Sequence, residues 1–228
     1  MKRALLICIV VAGVAGAASP LNAGTILFTL LGDPGQNYSF FRSDSPIGAT
    51  VREPVGPYSA YLGAHTPQNL YAVLCIDYLK AADWNTTYSG FVYDIADAIP
   101  GKTQAQVVQA AYLAGKLMSL GGSSASTSLY QGPISFAVWQ IMDPLPGHVP
   151  VDAEAQAYVP EAQNALQSGS ISAADFPHAR IFVPNNSSIQ TFLTASAQDY
   201  NAAVPEPATL AFVGIGVALI GIAQLPKR

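Results

Sequence analysis

Charged residues are scarce in this sequence, at 11% of 228 residues, and the side chains that most often carry chemistry are few: two cysteines and three histidines. The short signatures of common enzyme classes are missing too, with no HExxH, GxxxxGK[ST], GxSxG or CxxC anywhere in the chain. Zinc-protease, phosphate-loop, α/β-hydrolase and dithiol redox chemistry therefore have no local basis. His65, His148 and His178 lie far apart beside prolines or in loop-like contexts, where imidazoles are expected at the surface. Asp94 and Asp97 lack the oxygen-rich loop of a calcium site and read as solvated charge. No catalytic, cofactor-binding or metal-binding residue is assigned, no cofactor is expected, and a non-enzymatic role is the expectation.

What the chain does have is two apolar ends. Lys2 and Arg3 precede an apolar stretch from Ala4 to Ala18, and small residues follow up to Ala23 and Gly24. This is the layout of a secretory signal peptide spanning residues 1–23, cut after Ala23 or alternatively after Ala18. The stretch is shorter than the roughly 20 residues a spanning helix needs. At the other end, residues 208–225 contain no charge and would form a helix roughly 27 Å long, close to the thickness of a bilayer's hydrocarbon core. Lys227 and Arg228 follow at once as a membrane stop, which puts the C-terminus inside and the domain outside.

Between the ends, residues 24–204 hold six lysines and arginines against thirteen aspartates and glutamates, a formal charge of −7. That balance argues against a nucleic-acid surface and against anionic headgroups. Cys8 departs with the signal, so Cys75 remains without a disulfide partner in the chain, and the exported part must rely on a hydrophobic core.

Residues 25–78 alternate β-favouring runs (TILFTLL, YSFFR, LYAVLCIDY) with turn clusters, and GFVYDIADAI reads as a further strand. TQAQVVQAAYLAGKLMSLGG then changes to helical spacing, with Thr103 as cap and Gly121 as stop. GPISFAVWQIMD predicts a second helix with Pro133 in its first turn, and DAEAQAYVPEAQNALQSG a third, bent or interrupted at Pro160. ARIFVP and IQTFLTA return to strand composition. The order predicts an α+β domain over 24–198, a mainly antiparallel sheet with a helical insertion. A linker at 199–203 would follow, and then the terminal segment 204–228.

Two sets of residues carry family resemblances. The VPEP tetrapeptide, the single apolar helix and the short basic end, paired with a signal peptide, resemble the PEP-CTERM sorting signal of Gram-negative bacteria. Proline fixes φ and disfavours helix at the residue before it, so Pro205, Glu206 and Pro207 would stay extended at the membrane's outer face. The resemblance implies recognition and processing by a membrane-embedded exosortase-like enzyme. The destination would be the cell surface or extracellular matrix, with exopolysaccharide or another surface polymer as a partner.

The second set is LCI at Leu74–Ile76 together with ISFAVW at Ile134–Trp139, which resemble the two signatures of the Cys-Gln thioester domains of bacterial surface proteins. The resemblance implies a covalent adhesin built on Cys75 as the reactive thiol. At the position of the family's glutamine, however, stands Ser135, whose hydroxyl cannot supply the acyl half of a thioester. Gln131 lies four residues earlier and would share a helical face with Ser135, but Pro133 is expected to leave it outside the helix. Gln140 falls on another face. Cys75 is then expected to be a buried core thiol, with Phe136 and Trp139 as packing residues.

Overall fold

The computed structural model describes residues 25–31, 37–41, 50–120, 128–145, 149, 152–194 and 196–203. The expected signal peptide, the Pro205–Pro207 motif, the apolar run 208–225, Lys227, Arg228 and the Gly121 stop all lie outside the described residues. Among the described residues no helix is long and apolar enough to cross a membrane.

Among the described residues the domain has eight strands and four α-helices. The strands are β1 (Ile26–Leu30), β2 (Asn37–Phe41), β3 (Thr50–Pro54), β4 (Tyr58–Leu62), β5 (Leu70–Cys75), β6 (Thr86–Asp94), β7 (Arg180–Pro184) and β8 (Phe192–Thr194). The helices are α1 (Gln104–Ser119), α2 (Ser128–Met142), α3 (Ala155–Gln167) and α4 (Ala197–Ala203). Strands β2 and β3 pair as a separate antiparallel ribbon, Asn37 opposite Pro54 and Phe41 opposite Thr50. The other six close into an antiparallel barrel in the order β1-β4-β5-β8-β7-β6. Helices α1 to α3 are inserted between β6 and β7, which are hydrogen-bonded neighbours, Gly90 facing Pro184 and Asp94 facing Arg180. The expected helical insertion in an antiparallel sheet is thus what the chain forms, and closure of that sheet into a barrel is the feature the strand pattern did not announce.

Closure follows from what fills the interior. Phe28 of β1 stacks on Phe182 of β7 at 4.5 Å and on Phe192 of β8 at 4.7 Å, although β1 pairs with neither strand. The three rings therefore meet across the inside of the barrel. Gly90 of β6 makes room for them, because a β-carbon there would lie 2.7 Å from the Phe182 ring and 2.3 Å from the Val183 carbonyl. Strand β5 is buried on both faces at Val73, Leu74 and Cys75, one face filling the barrel and the other lying beneath the helices.

Helix α1 begins as expected. Thr103 Oγ1 accepts from the Gln106 amide, and Gln106 Oε1 accepts from the Thr103 amide, a reciprocal capping box. Val107, Val108, Ala111, Leu113, Ala114 and Leu117 are all buried on it. The prolines behave differently from expectation. Helix α2 starts at Ser128 and contains Pro133, and α3 runs continuously through Pro160. Each proline lies near the N-terminus of its helix and forfeits one backbone bond, a loss that burial of the helix offsets. The segment expected to be a linker, 199–203, instead belongs to α4. Tyr200 packs its ring 5.3 Å from that of Tyr112 and rests against Gly115, where a β-carbon would come within 2.8 Å of it.

Candidate functional site

The end of β5 and the segment that follows, Cys75 to Lys80, bring together the barrel rim, the start of α1 and the end of α2. Asp77 is the centre of this junction. Its carboxylate is buried, accepts from the Thr191 amide at 3.0 Å, and pairs with Lys80 at 3.1 Å and Lys102 at 3.3 Å. Burial by itself would raise the Asp77 pKa, but the Thr191 hydrogen bond and the Lys102 and Lys80 ammonium groups outweigh it and hold the carboxyl below its ordinary value. Lys102 also donates to the Met142 carbonyl at 2.9 Å, and Gln106 Nε2 to the Ile141 carbonyl at 2.8 Å. A cation and an amide thus satisfy carbonyls at the C-terminus of α2, where the helix dipole favours positive charge.

Cys75 opens this segment, two residues before Asp77, and is buried, with 4% of its surface exposed. The indole Nε1–H of Trp139 is shared between the Cys75 carbonyl oxygen at 2.9 Å and Cys75 Sγ at 3.2 Å. The two motifs LCI and ISFAVW are therefore in contact. Ser135, one turn before Trp139, is 2% exposed, and its Oγ has no hydrogen-bond partner among the described residues. Gln131 corrects an expectation: it is inside α2, fully buried, two turns from Trp139 and on the same broad face as Ser135. Gln140 lies on another face, as expected, and accepts from Gln156.

Two concavities flank the Cys75–Lys80 segment. A cleft of about 720 Å³ is bounded by Asp77, Lys80, Lys102, Asp143, Leu79 and Leu145, and a pocket of about 210 Å³ by Tyr58, Cys75, Tyr78, Trp84, Trp139 and Gln190. Tyr78 and Lys80 line both. Tyr78 packs against Trp139 at 5.1 Å and against Phe136 at 6.0 Å, so Phe136 is a packing residue beneath the pocket wall.

Among solved structures, the chain is similar to the N-terminal thioester domain of a surface protein from Clostridium perfringens, with a TM-score of 0.38 and 10% identity, covering 76% of this chain and 99% of that one. No protein-family model matches the chain, and no characterised protein matches its sequence.

The remaining candidates do not converge. His65 stacks on Tyr61 at 4.7 Å and bonds Thr29 Oγ1 at 2.9 Å on the barrel wall. His178 bonds Asp199 at 2.6 Å where α4 docks, and His148 lies outside the described residues. Asp94 pairs with Arg180 at 2.7 Å, while Asp97 accepts from the Asp94 amide and so shapes a turn. Sequence reasoning passed over Asp77, Lys80, Lys102 and Trp84. One signal was available for the last of these: the chain has two tryptophans, and both line the smaller pocket.

Proposed function

We propose that the chain is an exported cell-surface or extracellular-matrix protein whose barrel-and-helix domain binds rather than catalyses. Its Pro205–Pro207 motif would be processed by an exosortase-like enzyme. The observation that carries this reading is the pairing of an apolar, cleavable-type N-terminus with the VPEP, apolar run and PKR of the C-terminus around an acidic domain. Before processing, the helix at 208–225 would anchor the chain in the inner membrane with Lys227 and Arg228 inside. The Asp77 junction supports the binding role. Its charges are engaged with one another and stiffen the rim of an open cleft, an arrangement suited to holding a ligand rather than to moving a proton. Deleting 204–228 tests the address: the truncated protein should leave the surface fraction, and unchanged location and processing would sink the reading.

A second reading, a covalent adhesin using Cys75, is favoured by the contact between Trp139 and Cys75 and by the helical, buried Gln131. In it the Cys75 sulfur attacks the Gln131 side-chain carbonyl, and the amide nitrogen leaves as ammonia with the thiol proton. Helix side chains lean towards the N-terminus, so the Trp139 indole covers the turn that bears Ser135, and Gln131 lies one turn beyond, about 6 Å along the axis. That offset ranks the reading second. A native protein lighter by one ammonia, with a thiol that resists alkylation even when denatured, would promote it. Full mass and a thiol that reacts only after denaturation would end it.

A further inference from the structure

We infer that the aromatic pocket beside Asp77 and Lys80 holds one ring of an uncharged glycan, with the adjoining cleft taking its neighbouring units. This rests on the binding role proposed above and names the ligand class.

Both tryptophans of the chain, Trp84 and Trp139, line this pocket with Tyr58 and Tyr78. Trp139 is fixed at its floor by the shared bond to Cys75. Trp84 leans on Tyr58 at 5.1 Å and is only half-buried. Its segment is held in place from several sides. Asn85 adopts a positive φ of 55°, Tyr88 Oη accepts from the Asp83 amide at 2.6 Å, and the Gln190 amide donates to the Ala81 carbonyl. The outcome is a wall that presents part of an indole to the pocket.

Aromatic walls suit either a cation or the C–H face of a sugar ring. The ionisable side chain on the pocket's lining, apart from the thiol and phenols, is Lys80, and an ammonium there repels a cationic ligand. A polyanion finds no excess of positive charge in the adjoining cleft, where Asp77 and Asp143 match Lys80 and Lys102, and it would meet a region, 24–204, of net charge −7. An uncharged, hydroxyl-rich ring has neither difficulty. Lys80 can donate to it. Gln190, whose Nε2 is tied to the Lys80 carbonyl at 2.7 Å, leaves its side-chain oxygen as an acceptor. Tyr78 and Lys80 line both concavities, so a chain of sugars can continue into the cleft of about 720 Å³, past Leu79 and Leu145 at its exposed apolar edge.

Tryptophan emission of the full chain reads the pocket directly. The probes are neutral trisaccharides of glucose, mannose, galactose and N-acetylglucosamine, with choline and trigalacturonate as charged controls. At least one neutral trisaccharide should shift the emission saturably. Trp84→Ala should weaken that binding about tenfold or more while Trp84→Phe keeps it within about threefold, both variants retaining the wild-type circular dichroism. The inference is overturned if no neutral sugar shifts the emission, if only choline or trigalacturonate does, or if Trp84→Ala binds like wild type. A chain that reaches the surface but ignores the neutral sugars would lose this inference and keep its address. One that binds them but is not sorted would do the reverse.

Discussion

Ser135 and Asp77 are both buried polar residues of the same junction, and they should respond oppositely to change. Ser135 Oγ forms no hydrogen bond among the described residues, so it carries a desolvation cost without a return. Ser135→Ala should leave stability unchanged or raise it by about 1 kcal/mol in chemical denaturation; a clear loss would mean the hydroxyl has a partner. Asp77 is held below its ordinary value because burial, which acts to raise it, is outweighed by Thr191, Lys102 and Lys80. A carboxyl whose folded pKa is lower than its unfolded one, about 3.9, contributes stability above that value and loses it as the pH falls through the folded one. The urea midpoint should therefore drop as the solution is acidified below about pH 4, and Asp77→Asn should flatten that drop. Equal pH dependence in the two proteins would remove Asp77 from the account. Ser135 stood out in the sequence through the family resemblance, whereas Asp77 did not, because its role depends on partners far along the chain, Thr191 and Lys102.

Elements were legible where their signals are local. Thr103 as cap and the apolar spacing behind it placed α1, and the β-favouring runs placed the strands. Proline was over-read as a boundary at Pro133 and Pro160, since a helix that buries its face tolerates the loss of one early bond. The polar composition of SAQDYNAA concealed α4, which docks through the Tyr200 contact with Tyr112 and Gly115 and through a buried carboxylate. Asp199 is 2% exposed and accepts from the His178 and Ala179 amides at 3.1 Å each and from His178 Nδ1 at 2.6 Å. Asp199→Ala leaves the buried Ala179 amide unpaired and should cost about 2–3 kcal/mol. Hydrogen exchange should then rise first across 197–203, whereas uniform exchange over the whole domain would show that α4 is not a separate unit. In the barrel, Gly90→Ala forces a β-carbon against the Val183 carbonyl and the Phe182 ring and should cost about 2–3 kcal/mol by thermal or urea unfolding. A neutral result would contradict the close approach of β6 and β7.

For the whole molecule, barrel closure and the paired concavities depend on long-range neighbours, β1 with β6 and β6 with β7 across the helical insertion, which no local pattern encodes. The Cys75 and Trp139 motifs, 64 residues apart in sequence, are brought into contact by the fold, and Cys75 is buried there. The proposed protein is an exported domain, trimmed at both ends, with Cys75 as a packing residue. Intact-mass analysis of the native exported protein, with and without alkylation, tests it most directly. The expected species begins after Ala23 or Ala18, ends near the Pro205–Pro207 motif, shows no loss of ammonia, and gains one alkyl group at Cys75 only when denatured. A chain that retains residues 208–228, or one lighter by one ammonia with an unreactive Cys75, would contradict it.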